Sequence, residues 1–168
     1  STTATFGWTR AAVTGISNPA GSGSGAVITE TLINTTTEPV VVHYIITPAV
    51  GTCSGTPFDL SVTVNPTAEV NQPSSQIVCS NAPTTTVTFT TPNTGGMVSY
   101  TWTNDQTSIG LVASGTGNIQ TFTVINTGDN PSIATITVTP HFTFGGITCE
   151  GPAKTFTITV NPTAQVEI

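Results

Sequence analysis

The chain has 168 residues and a formal net charge of −6, with Arg10 and Lys154 as its only cations apart from two histidines. That balance leaves no basic patch to neutralise phosphates, so nucleic acid and anionic lipid are disfavoured as partners, and no apolar run approaches the ~20 residues that cross a bilayer. Thr, Ser, Gly, Asn and Pro dominate over 6% charged residues, as in many disordered chains, yet Val87/Phe89, Tyr100/Trp102, Ala134/Ile136/Val138 and Phe156/Ile158/Val160 alternate with polar neighbours. Spacing of two gives each strand one face to bury and one to expose, which predicts an all-β protein with two small cores.

In chain order, Phe6-Gly-Trp8-Thr-Arg10 matches Tyr100-Thr-Trp102-Thr-Asn104 at an offset of 94 (102 − 8), each a strand with two aromatic residues on one face. Residues 15–25 and 108–117 follow as turn-rich loops ending in Gly-(Ser/Thr)-Gly. Residues 23–48 then align with 115–140 without a gap at an offset of 92, sharing Ile-Asn-Thr and Thr-Pro, and read as two strands joined by a turn. Val42/Tyr44/Ile46 and Ala134/Ile136/Val138 are the equivalent inward positions, whereas Val41/His43/Ile45 makes the first copy's outer face more apolar than Ile133/Thr135/Thr137. Left unpaired, Val40-Val-Val-His-Tyr-Ile-Ile46 is an aggregation hazard, so it is expected as a central strand.

A Cys-(Ser/Glu)-Gly loop comes next in each copy. The copies close on Leu60-Ser-Val-Thr-Val-Asn-Pro-Thr-Ala-Glu-Val70 and Phe156-Thr-Ile-Thr-Val-Asn-Pro-Thr-Ala-Gln-Val166, an offset of 96 (166 − 70). The chain is therefore read as residues 1–70, a repeat lacking its N-terminal strands, and residues 71–168, a complete repeat whose extra strands lie at 76–79 and 85–90. No signal-peptide pattern opens the chain, so an export signal or anchor is expected outside this segment.

Cysteines carry the clearest chemistry. Cys79 and Cys149 are the pair within one repeat, and a bridge between them closes a loop of 70 residues (149 − 79), worth roughly 4 kcal/mol in the chain-entropy model. Cys53 corresponds to Cys149, and its odd number follows from a partner preceding residue 1. The alternative is three reduced, buried cysteines.

His43 and His141 have no Cys, Asp or Glu at ligand or triad spacing, so no catalytic residue is expected. The Gly-rich pieces lack the Lys and the strand-to-helix setting of a phosphate loop. Asp59, Asp105, Asp129 and Glu150 are scattered, so neither calcium nor any other cofactor is expected. Asn34-Thr-Thr is a formal glycosylation sequon, but its Ile-Asn-Thr recurs at 125–127 without one and is better read as a strand end entering a turn. At the joint, Pro66 fixes φ and biases Asn65 toward extended conformations, so Asn65, Pro66 and Thr67 are expected to space the repeats and resist folding back.

The ordered set from 102 to 163, Trp-Thr-Asn-Asp-Gln-Thr-Ser-Ile-Gly-Leu, Gly-Thr-Gly-Asn-Ile, Val-Ile-Asn-Thr-Gly, Ile-Thr-Val-Thr-Pro, Cys-Glu-Gly and Ile-Thr-Val-Asn-Pro-Thr, closely resembles the PKD-like repeats of very large Bacteroidota cell-surface proteins, including gliding-motility adhesins of the SprB type. The resemblance implies tandem immunoglobulin-like β-sandwich modules, type IX secretion, and arrays that extend from the outer membrane as adhesive filaments. It transfers no catalytic or ligand residue. Expected partners are neighbouring repeats of the same chain and a surface polysaccharide or substratum. Two other readings stand beside this stalk: a glycan-binding module using loops 15–25 or 110–117, and a fibre subunit assembled by strand donation.

Overall fold

The computed structural model describes residues 3–164. It divides into two compact units, Ser1–Thr67 and Ala68–Ile168. The boundary falls three residues before the seam expected at 70, because Ala68 and Val70 are buried among the residues of the second unit. The Gln-Val end of the second motif copy, at 165–166, lies outside the described residues.

In the first unit, β1 (Thr5–Arg10), β2 (Gly21–Ser24), β3 (Val40–Val50), β4 (Cys53–Ser54) and β5 (Phe58–Val64) form one antiparallel sheet. The long apolar strand β3 lies at its centre as expected, with β1 on one edge and both β4 and β5 along the other. Register places Trp8, Ile46 and Phe58 in one inward row and Arg10, Tyr44 and Leu60 in the next. Ile16, Val42 and Tyr44 are the buried nucleus, with Val13, Ile28 and Leu32 packed over the sheet from the irregular segments. Val41 and Ile45 point outward and are 46% and 40% exposed, which confirms the more apolar outer face.

The second unit repeats this plan with β7 (Met97–Asn104), β8 (Ser114–Thr116), β9 (Ser132–Phe144), β10 (Ile147–Glu150) and β11 (Lys154–Asn161), in the positions of β1 to β5. One strand is additional. β6 (Gln76–Cys79) pairs in parallel with the outer edge of β11, Ile158 opposite Gln76 and Asn161 opposite Cys79. The core is correspondingly larger: Val70, Val87, Phe89, Ile109, Leu111, Ile119 and Val124 cover the inward side chains of β7, β9 and β11. Both units are all-β sandwiches of the immunoglobulin-like kind, a regular sheet faced by extended segments tied through isolated bridges such as Val87–Ile119 and Ile16–Asn34.

Two expectations about the strands change. Residues 85–90 make only that single bridge at Val87, because the Thr84 and Asn118 side chains take over backbone bonding on either side, at Phe122 and Phe89. The Gly-(Ser/Thr)-Gly pieces, expected as loops, are edge strands. Trp8 stands opposite Gly23 and Trp102 opposite Gly115, and each indole lies where a glycine Cβ would be, so the ring itself replaces the missing side chain on the neighbouring strand.

Candidate functional site

The repeated motifs resolve into a shared frame. In each unit, the Asn of Ile-Asn-Thr staples a turn to the end of the last strand. Asn34 Nδ2 donates to the Glu38 and Val64 carbonyls, both at 2.8 Å, while Asn126 Nδ2 donates to the Asn130 and Val160 carbonyls, also at 2.8 Å. Each Oδ1 accepts the N–H two residues on, from Thr36 at 2.8 Å and Gly128 at 3.0 Å. The amide nitrogen that a glycan needs at Asn34 is thus committed to the fold, which explains why the motif survives at Asn126 without the sequon. The Cys-x-Gly loops are similarly fixed, with Gly55 N–H donating to the Pro48 carbonyl at 2.8 Å and Gly151 N–H to the Pro140 carbonyl at 3.0 Å. At Gly151 the Ala68 carbonyl occupies the space a Cβ would need.

The three expected joint residues, Asn65, Pro66 and Thr67, connect the end of β5 to Ala68. Pro66 is fully buried, Asn65 half-buried and Thr67 exposed. Beyond them the chain is bound into the second unit at once: Glu69 N–H donates to Asn93 Oδ1 at 2.6 Å and Asn71 N–H to the Thr90 carbonyl at 2.8 Å. The connection is three residues long, and the Ala-Glu-Val that follows belongs to a core.

The cysteine expectation is corrected. Cys53, Cys79 and Cys149 are free thiols, the first two exposed and the third half-buried. Register explains why Cys79 and Cys149 do not bridge. Cys79 sits opposite Asn161, beside the Ser132 end of β9, whereas Cys149 sits opposite Phe142. Ten residues of strand, roughly 33 Å, separate those two levels, and a disulfide requires Cα atoms within about 7 Å. The alternative of buried thiols also fails, since Cys53 and Cys79 reach solvent.

Among the described residues no group of three or more His, Cys, Asp or Glu comes together. The two histidines have separate settings. His43 Nδ1 lies 3.0 and 3.1 Å from the Asp59 carboxylate oxygens on the open outer face, and His141 Nε2 lies 3.0 Å from Thr101 Oγ1.

A polar cluster inside the first unit was not foreseen. Arg10 is 2% exposed, and its Nε and Nη2 donate to the two Glu30 oxygens at 2.9 and 3.1 Å. Its remaining donors reach the Pro19 and Ala11 carbonyls at 2.6 and 3.2 Å, and Tyr44 Oη donates to Glu30 Oε2 at 2.7 Å. The hydrogen bonds from Arg10 and then Tyr44 hold the Glu30 carboxyl below its ordinary 4.5, against the opposing pull of burial. Burial first, then the bond to Glu30, pushes the Tyr44 phenol up. A buried charge is costly unless paired and fully bonded, and this pair is. Its equivalents in the second unit are Asn104, Phe122 and Ile136. Asn104 retains the loop-pinning part of Arg10's role, its Nδ2 donating to the Leu111 carbonyl at 2.9 Å. The sequence signal was present as three polar residues appearing together at positions that are otherwise Asn or apolar.

The larger difference between the units lies at the last strand. Phe89 packs on Tyr100 and Phe156, with ring centroids 5.4 and 6.3 Å apart, and Phe156 is 3% exposed. In the first unit the equivalents of those two partners are Phe6 and Leu60, 40% and 38% exposed. Among the described residues β5 pairs with β3 alone, whereas β11 has a strand on each side.

Comparison with known families finds the model described as PKD-like domain over residues 1–68. No curated protein matches the chain. No helix among the described residues is long and apolar enough to cross a membrane. PKD-like domains are typically extracellular and generally non-catalytic. The matched span covers the whole first sheet, and the second unit reuses that sheet strand for strand, so the chain presents PKD-like, immunoglobulin-like β-sandwich architecture with the family match itself resting on residues 1–68.

Proposed function

We propose that this chain is a stalk segment of a large, repetitive, secreted adhesin filament on the cell surface, serving adhesion and gliding. The observation that carries the reading is the seam: two sandwich units in series joined by three residues, with the same Asn-Pro-Thr recurring after the second last strand. Pro66 and Pro162 each restrict the backbone at a strand exit, so repetition of such joints adds length with little slack. Thr- and Ser-covered faces with few charges keep the surface weakly dependent on salt and pH. Its partners are neighbouring repeats and, for the assembled filament, surface polysaccharide or substratum. The ordered motif set shared with giant Bacteroidota surface adhesins supports export by the type IX route and attachment at the outer membrane.

The glycan-binding alternative gains no support from the aromatic residues, because Trp8 and Trp102 are spent on covering Gly23 and Gly115. Fab fragments raised against the chain test the stalk reading on intact producing cells. Immunogold label on filaments standing off the outer membrane, with reduced surface adhesion, is the expected result. Label that appears only after permeabilisation contradicts it.

A further inference from the structure

We propose that the outer face of the first unit's sheet is a self-pairing surface: two copies of the chain meet across it, face to face, about a two-fold axis that crosses β3 between His43 and Ile45. This is the side of the sheet turned away from the core, and the second unit leaves the same side open with β6 in place, Ile133 being 57% exposed there. The two faces differ in relief and in charge. At Gly7 the first unit's outer surface lacks a side chain, and a hollow of about 460 Å³ opens between Thr9, Ser22, Ser24, Ile45 and Thr47. The equivalent of Gly7 is Thr101, which occupies that place and lies 3.0 Å from His141 Nε2. Among the described residues, His43 and Asp59 are the only ionisable side chains at the outward positions of β1, β3 and β5, and they stand 3.0 Å apart. Their equivalents are Thr135 and Thr155.

A patch with one hollow, two exposed apolar side chains and one group of each sign is complementary to itself, as an isologous contact requires. Register fixes how it would meet its copy. A two-fold axis between 43 and 45 sets position 41 over position 47 and position 43 over position 45. Val41 then faces the hollow beside the partner's Thr47, and His43 lies over the partner's Ile45, next to the Asp59 that pairs with Ile45 in register. Four strands at about 4.8 Å and the eleven residues of β3 at about 3.3 Å give a face of roughly 600–700 Å². That is somewhat below the ~800 Å² per partner of a standard interface, so the pair is weak. Pairing is a property of the chain itself, whereas its role in drawing filaments together side by side, through many weak contacts along an array, rests on the stalk reading.

Sedimentation velocity of the full chain over roughly micromolar to millimolar concentrations tests it without reference to the filament. A monomer–dimer equilibrium within that range is expected. Gly7→Thr places the second unit's residue in the hollow, and because a Cβ at Gly7 meets nothing nearer than 4.0 Å, the circular dichroism spectrum should be unchanged while dimerisation weakens at least about tenfold. Val41→Asp should weaken it at least as much. His43→Asp and Asp59→Lys should each be monomeric alone, and an equimolar mixture of the two should dimerise again, because each copy then offers the sign the other lacks. A chain that stays monomeric at millimolar concentration overturns the proposal. So does a dimer that neither Gly7→Thr nor Val41→Asp weakens, since it joins through another surface. A mixture that remains monomeric overturns the two-fold placement of His43 against Asp59.

Discussion

The two units share a sheet but differ in how they close it. The second unit sets uncharged Asn104, Phe122 and Ile136 at the place where the first buries Arg10, Glu30 and Tyr44, and it adds β6 and Phe89 where the first leaves Leu60 and Phe6 open. The comparison separates what the fold requires from what each repeat adds. Required are the Trp-on-Gly contact, the Asn staple and the Gly-to-Pro bond, all present in both units with matching partners. Optional is the means of filling the space above β1 and β5. An uncharged filling, Asn104 with Phe122 and Ile136, and a bonded ion pair occupy the same position on the same scaffold.

The largest contrast should come from truncating the last-strand core. Phe156→Ala removes a fully packed ring and is expected to destabilise the second unit by about 3–5 kcal/mol, whereas Leu60→Ala, at the equivalent but open position, should cost under about 1 kcal/mol. Urea unfolding of each variant checks this, and similar costs for both would break the comparison.

Next in size is Glu30→Gln. Losing one partner of a fully buried pair costs about 3–5 kcal/mol, but the Glu30 side chain keeps 20% of its exposure, so about 2–3 kcal/mol is expected, all in the first unit. Acid sharpens the same point. Because the folded Glu30 carboxyl titrates below 4.5, its contribution is present above that value and is lost as pH falls through the folded one. The equivalents in the second unit, Asn104, Phe122 and Ile136, have no group that titrates. Thermal scans below pH 4.5 should therefore lower the first unit's transition relative to the second, and Glu30→Gln should remove that difference.

Asn34→Ala and Asn126→Ala test the shared frame and should cost equal amounts, about 1–3 kcal/mol each, since each leaves two carbonyls without their donor. Smallest is the effect of reduction. With all three thiols free, dithiothreitol should leave both transitions where they are.

Much of this was legible because tandem copies act as mutual controls. Alternation identified the inward faces of β3 and β9, and the apolar run of β3 required a central position, where the structure places it. The seam read at 70 lies three residues beyond the boundary of the two compact units, because Ala68 and Val70 are buried against distant partners, Ala68 beside Gly151, 83 residues away (151 − 68), and Val70 in the second unit's core. The cysteine pairing was not legible. Sequence separation carries no information about level along a sheet, and only the register of β6 and β10 sets the two thiols at opposite ends. The Gly-(Ser/Thr)-Gly strands were misread for a related reason: glycine signals a turn locally, and the partner indole that makes it a strand lies elsewhere in the chain. The ion pair was hidden in substitutions that look like drift until Arg10, Glu30 and Tyr44 are seen to meet.

The central claim is that, among the described residues, the last strand is paired on both sides in the second unit and along one side alone in the first. Residue-resolved hydrogen exchange of the chain alone tests it most directly, because amides on an unpaired edge exchange without any opening event. The account predicts slow exchange at Thr157 and Thr159 and fast exchange at their equivalents Ser61 and Thr63, with the equivalent residues Val42 and Ala134 inside both sheets equally slow. Equal protection at Thr157 and Ser61 would contradict it.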